Sequence, residues 1–125
     1  MTLDGLAIGA GIGGLELGLS LALGDGYATR CYIELDPYCR RVLEARMADG
    51  SLHRGAMHDD LLTFDPGPWR GRIDIVSSGF PCQPASYAGR RKGVDDERWL
   101  WPDIARVLRA VRPRYVFLEN VPGIL

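Results

Sequence analysis

Apolar residues along this chain fall into short runs separated by stretches in which they recur every three or four positions. Leu3 to Ile8 is a run that ends in glycines, and Leu15, Leu19 and Ala22 then follow at i, i+4 and i+7, which predicts a strand, a tight turn and a helix. Thr29 to Leu35 reads as a second strand. Asp36 as N-cap and Pro37 at the first helical position open a helix that places Tyr38, Val42 and Ala45 on one face and stops near Gly50. Between Leu52 and Trp69, the residues Leu61, Leu62 and Phe64 suggest a short third strand before a Pro/Gly turn. Arg72 to Ser77, apolar at Ile73, Ile75 and Val76, forms a fourth strand, and the polar segment from Gly79 to Arg98 leaves it. Pro102 opens a helix carrying Ile104, Val107, Leu108 and Val111, and Tyr115 to Leu118 makes a fifth strand.

Strands alternating with amphipathic helices imply an α/β fold with a mostly parallel sheet covered on both faces, because each crossover must return over the sheet. Ligands of such sheets sit beyond the carboxyl ends of the strands, near the point where strand order reverses. The chemically suggestive residues all fall at such ends: Gly9 to Gly14 after the first strand, Glu34 at the end of the second, Cys82 after the fourth and Glu119 after the fifth.

Composition narrows the class. With 125 residues, 46% hydrophobic and 25% charged, the chain is expected to form one domain over residues 1–125 with one core. A net charge of −1 gives no global nucleic-acid footprint, so any DNA contact must be local. Three cysteines without CxxC or Cys/His spacing argue against a disulfide framework or a zinc site and for a reducing compartment, so no metal and a cytoplasmic location are expected. The stretch from Gly5 to Gly24 approaches the length of a membrane span, but its glycines, the mid-span Glu16 and Asp4 upstream argue against insertion or export.

Two motifs carry chemistry. Gly9-Ala10-Gly11-Ile12-Gly13-Gly14 satisfies GxGxxG, and Glu34 lies 20 residues beyond its last glycine, where a carboxylate could accept bonds from ribose hydroxyls. This pattern alone leaves open a nicotinamide or flavin dinucleotide and S-adenosylmethionine, since each offers an adenosine ribose to the same acid. In Gly79-Phe80-Pro81-Cys82-Gln83-Pro84 a cysteine stands close between two prolines, and Glu119-Asn120-Val121 follows the last strand. Methyl transfer to a pyrimidine ring carbon calls for a thiolate. Carbon 5 of cytosine becomes nucleophilic once a thiolate has added at carbon 6, and an acid can supply the matching proton at ring nitrogen 3. Cys82 and Glu119 would form that pair.

With these motifs in order, the chain resembles the N-terminal catalytic part of the DNA (cytosine-5) methyltransferases. Ala10-Gly11-Ile12-Gly13-Gly14-Leu15 with Leu17-Gly18-Leu19 is similar to that family's first motif, Glu34 with Asp36 and Tyr38 to its second, and Asp60-Leu61 to its third. Gly79-Phe80-Pro81-Cys82-Gln83 with Ser86, Gly89 and Gly93 resembles the nucleophile motif and its loop, and Glu119-Asn120-Val121 the acid motif. The resemblance implies a Rossmann-like S-adenosylmethionine-dependent methyltransferase fold, incomplete at its C-terminal end. It implies S-adenosylmethionine as cofactor, held by Gly11, Gly13, Gly14, Glu34, Asp60, Leu61, Pro81 and Leu100. Asp60 would contact the adenine amino group. Cys82 and Glu119 would be catalytic, with Gln83, Ser86 and Asn120 at the substrate. The implied substrate is DNA, with the target cytosine flipped out of the stack so that the thiolate can reach it.

The departures from the pattern are specific. Gly9 and Leu35 stand where the family carries bulky residues against the cofactor, Ala85 replaces a phenylalanine, and Glu97-Arg98-Trp99-Leu100 replaces an Arg-Gly-Thr-Leu-like stretch. The later motifs and the target-recognition region do not occur in these residues, so a second polypeptide could supply them, and the fifth strand is expected to be an exposed edge. Two other readings are a non-catalytic or partner-dependent remnant, and a dinucleotide-dependent oxidoreductase that would leave Cys82 and Glu119 idle. Cys31 and Cys39 read as packing residues, His53 and His58 as solvated loop residues, and Trp99 and Trp101 as helix-start packing. Arg90, Arg91, Lys92 and Arg98 form either a solvated charge run or a phosphate-contacting loop.

Overall fold

The computed structural model describes residues 1–80 and 100–120. Five strands, β1 (Leu3–Ile8), β2 (Tyr27–Ile33), β3 (Ala56–His58), β4 (Ile75–Ser78) and β5 (Tyr115–Leu118), form a sheet in the order β3-β2-β1-β4-β5. Every pairing is parallel. Helices α1 (Gly14–Leu23) and α2 (Pro37–Ala48) follow β1 and β2, and α3 (Trp101–Val111) precedes β5. The chain winds outward from β1 through β2 to β3, then returns to the other side of β1 for β4 and β5. The reversal therefore lies between β1 and β4.

Register explains the two layers. Ala7, Tyr32 and Ser77 lie side by side and face α1 and α2, where Ala7, Tyr32, Leu43 and Leu52 form one apolar cluster. The alternate positions Leu6, Ile8, Cys31, Ile33 and Val76 face the other way and pack with Phe64, Phe80, Ile104, Val107 and Val111. β1 and β4 are covered on both faces, so residues 5–8 and 75–78 are all buried, the polar Ser77 and Ser78 included. The pairing of β1 with β2 shifts between Gly5 and Leu6, and the unpaired Arg30 turns outward to meet Asp4 at 2.7 Å.

Several expectations are corrected. The third strand is Ala56–His58, and Leu61–Thr63 is instead a 3-10 turn, because Asp60 caps it by accepting from the Leu62 N–H at 2.9 Å. On α2 the N-cap Asp36 and Pro37 are as expected, but the buried residue is Leu43 rather than the Tyr38/Val42/Ala45 face. Tyr38 is exposed, and Leu52 and Gly13 fix the rotation by closing on Leu43. On α1 the buried residue is Glu16, whereas Ala22 is exposed, because the sheet beneath presents the hydroxyls of Ser77 and Tyr27. The second and fourth strands end two residues earlier and one residue later than read.

The histidines also differ from expectation. His53 lies edge-on to Tyr27 and its carbonyl accepts from the Tyr32 hydroxyl, while His58 belongs to β3 and stands edge-on to Phe64. Both are partly buried packing residues. Cys31 is buried as expected, with its thiol pushed up to about 12 by burial, and Trp101 packs its ring near Phe80. β5 matches the reading residue for residue and is an edge among the described residues, with Tyr115, Val116, Phe117 and Leu118 between 42% and 52% exposed. No described helix is long and apolar enough to cross a membrane.

Candidate active site

The carboxyl ends of β1, β2, β3 and β4 enclose a cavity of about 420 Å3. Gly9 and Gly11 line it from the loop after β1, Ile33, Glu34 and Leu35 from the end of β2, Asp59 to Leu62 from the turn after β3, Gly79 from the end of β4, and Leu100 from the start of α3. The sequence-read residues Gly11, Glu34, Asp60, Leu61 and Leu100 thus converge on one cavity.

The loop after β1 is shaped by its glycines. Gly9 has φ +61°, and a β-carbon there would sit 3.7 Å from the Phe80 Cα, so the loop lies against the root of the segment that leaves β4. Gly13, φ +89°, caps α1, and a β-carbon on it would meet Leu52 Cδ1 at 2.6 Å. The first N–H groups of α1 lack helical partners, as at any helix start, and can meet an anionic group. Gly13 and Gly14 therefore shape the helix start rather than line the cavity.

Glu34 is held by two backbone donors: Gly11 N–H to Oε1 at 2.7 Å and Asp36 N–H to Oε2 at 2.8 Å. Its carboxylate is thereby fixed at the cavity mouth with lone pairs to spare. Arg40 reinforces this corner by donating to the carbonyls of Glu34 and Leu35. Asp60 spends Oδ1 on the Leu62 N–H, leaving Oδ2 without a partner among the described residues. Leu35 and Leu62, 69% and 61% exposed, present apolar surface beside these acids. Fixed carboxylates beside apolar walls suit a ribose diol joined to a flat base. From sequence Leu62 reads only as a strand residue; the signal for its place in the cavity wall is an apolar residue following a capping aspartate.

At the other side of the cavity, Glu119 directly follows β5. Its N–H donates to the Ser78 carbonyl at 2.9 Å, and a β-carbon on Gly79 would lie 3.4 Å from Glu119 Oε2 and 3.6 Å from Leu15 Cδ1. The carboxylate thus lies over the end of β4, exposed and with no hydrogen-bond partner among the described residues. Asn120 Nδ2 donates to the Phe80 carbonyl at 3.2 Å, tying the acid motif to the residue before Pro81. Pro81, Cys82, Gln83 and Ser86, and with them the basic run from Arg90 to Arg98, lie outside the described residues.

A residue not assigned from sequence lies directly beneath. Glu16, 1% exposed, accepts from Ser77 Oγ at 2.6 Å through Oε1, and Oε2 has no partner among the described residues. Burial pushes its carboxyl above the ordinary value, with the Ser77 bond opposing. It fastens α1 to β4 two residues before Gly79. No group of metal-ligating side chains occurs among the described residues.

Comparison with known proteins agrees with this geometry. The family model for C-5 cytosine-specific DNA methylase matches residues 4–125. The Type II methyltransferase M.NgoMIV of Neisseria gonorrhoeae is 36% identical over 125 residues, covering 100% of this chain and 38% of the relative. M.AquIA of Picosynechococcus is 32% identical over 124 residues, covering 96% of this chain and 49% of that protein. Among solved structures, Dnmt2 methyltransferase of S. pombe superposes with a TM-score of 0.69 at 25% identity, over 98% of this chain and 36% of that one. Across these and six further curated relatives, the chain spans between 26% and 49% of the relative's own length. On a family model that spans all but the first three residues, the chain belongs to the C-5 cytosine-specific DNA methylases.

Proposed function

We propose that this chain is the cofactor-binding and catalytic part of an enzyme that methylates carbon 5 of cytosine in DNA, with S-adenosylmethionine as donor. The observation that carries the proposal is the exposed Glu119 carboxylate lying over Gly79, three residues before Cys82, beside a cavity walled by Glu34, Asp60 and leucines. When bound, the cofactor would supply an electrophilic methyl group on a sulfonium. Glu34 would accept from its ribose hydroxyls and Asp60 from the adenine amino group, with Leu61 and Leu62 behind the base. Gly11 lets the backbone approach, and the start of α1 after Gly13 and Gly14 offers N–H donors to its carboxylate. Pro81 and Leu100 would close the remaining side.

Cys82 would add to carbon 6 of an extruded cytosine. The ring electrons move toward nitrogen 3, where the Glu119 carboxyl supplies a proton, and carbon 5 becomes an enamine carbon. Carbon 5 would then take the methyl group while the donor's carbon–sulfur bond breaks to leave a neutral thioether; return of the nitrogen 3 proton to Glu119 and loss of the carbon 5 proton to solvent would expel the thiolate and restore the ring. Asn120 would hold the strand end that presents Glu119, and Gln83 and Ser86 would contact the base or its backbone.

A partner-dependent form of the same activity is favoured by a separate observation. β5 leaves four large apolar residues about half exposed among the described residues. A further polypeptide region would then supply DNA recognition and cover β5.

The test is covalent trapping. Duplex DNA carrying 5-fluorocytosine at many sequence contexts, incubated with S-adenosylmethionine, should yield an adduct mapped to Cys82 by peptide mass spectrometry and none with Cys82→Ser. An adduct formed only when the C-terminal region of a Type II relative is added identifies the partner-dependent form. Failure in both arrangements refutes the catalytic proposal.

A further inference from the structure

We infer that Arg106 is a positioning residue for the nucleobase end of the cavity, an inference that rests on reading that cavity as an S-adenosylmethionine site. Arg106 lies on α3, outside the cavity lining. Its Nη1 donates to the Phe64 carbonyl at 2.9 Å and its Nη2 to the Leu61 carbonyl at 2.8 Å, while Nε faces Asp103 Oδ1 at 3.4 Å. One guanidinium thus spans both ends of the 3-10 turn Leu61–Thr63, the turn that Asp60 caps and that projects Leu62 into the cavity wall.

Apart from the Asp60 cap at 2.9 Å and the burial of Leu61 and Phe64, the bonds of this turn are long. Its own backbone bonds, Thr63 N–H to Asp60 and Phe64 N–H to Leu61, are 3.2 Å each, and the His58 ring reaches Thr63 Oγ1 at 3.3 Å. These lie at the long end of hydrogen-bond geometry. The Phe64 carbonyl at the close of so short a turn has no continuing helix to donate to it, the Leu61 carbonyl has a second lone pair beside its long bond from Phe64 N–H, and a basic side chain is a common partner for such groups. The two Arg106 bonds are shorter and charge-assisted, and the planar fork fixes both carbonyls at once, which an ammonium on a flexible stem does not.

The helix that carries Arg106 is itself rigid, with Ile104, Val107 and Val111 fully buried. Its N-cap residue Leu100 lines the same cavity. α3 therefore supplies one wall directly and holds another through Arg106. Precise placement of Asp60 Oδ2 is what allows a carboxylate to distinguish an exocyclic amino group from an oxo group.

The test compares S-adenosylhomocysteine with S-inosylhomocysteine, which replaces that amino group by an oxygen, using calorimetric titration of the whole chain. Wild type should prefer the adenosyl compound by roughly 10-fold or more, the size of one hydrogen bond to a charged group. In Arg106→Gln the preference should fall to within about 3-fold with weakened binding, and Arg106→Lys should retain an intermediate preference. Arg109→Gln, on the exposed side of α3, should match wild type. If Arg106→Gln does not fold, Arg106→Lys carries the comparison, with unliganded melting recorded for each variant. An unchanged preference in a folded Arg106 variant, even with a lower melting temperature, overturns the positioning role and leaves the cavity reading intact. Wild type that binds neither compound overturns the cavity reading and this inference together.

Discussion

Replacing Glu16 by glutamine tests whether a buried carboxyl beneath the site limits stability. The wild-type side chain is 1% exposed, bonded to Ser77 through one oxygen and unpartnered at the other among the described residues. Burial raises its pKa above 4.5. The folded protein therefore binds this proton more tightly than the unfolded chain. The stabilisation is fully present below about pH 4.5 and is lost as pH rises through the folded value. Within that window the loss is at most about 1.4 kcal/mol per pH unit. At pH 7, which is 2.5 units above 4.5, it cannot exceed about 3.4 kcal/mol. Glutamine keeps an oxygen for the Ser77 hydroxyl and does not ionise. Urea unfolding followed by circular dichroism at pH 4.5, 5.5 and 7 should show Glu16→Gln gaining on wild type as pH rises, with equal m-values. A difference that is flat with pH, or that turns against glutamine as pH rises, refutes the argument.

Three further substitutions probe the frame. Gly13→Ala combines φ +89° with a contact of 2.6 Å to Leu52, so urea unfolding should show a loss of about 1–3 kcal/mol. Arg112→Gly relieves φ 54° at the C-cap of α3 and should stabilise by about 0.5–1 kcal/mol in the same assay. Asn120→Ala removes the tie to the Phe80 carbonyl and should slow adduct formation by roughly 10-fold while leaving S-adenosylhomocysteine affinity within about 2-fold, as read by trapping kinetics and calorimetry.

Elements with strong local signals were legible in the sequence. β5, the α3 face of Ile104, Val107 and Val111, and the Asp36-Pro37 start of α2 lie where pattern and capping place them. The convergence of Gly11 and Glu34 followed from parallel topology, since strand ends must share one edge, whereas Asp60, Leu61 and Leu100 were placed at the site only by the family resemblance. What was not legible depended on partners distant in sequence. Leu61 and Leu62 look like strand residues until Asp60 caps them into a turn that Arg106, on another helix, holds from outside. Glu16 enters the sequence analysis only as a charge that argues against a membrane span, and its buried role depends on Ser77, sixty-one positions later, lying beneath it. The face of α2 is set by Leu52 and Gly13 rather than by its own spacing.

The account's central claim is that one end of the sheet binds the methyl donor beside Glu119, and amide chemical-shift mapping by NMR tests it most directly. Titration with S-adenosylhomocysteine should shift Gly11, Gly13, Glu34, Asp60, Leu62 and Glu119 while Asp4, Arg30 and Asp74, at the opposite strand ends, stay still; NAD should shift none of them. Shifts confined to the Asp4 end, or an equal response to NAD at Glu34 with none at Glu119, would contradict it.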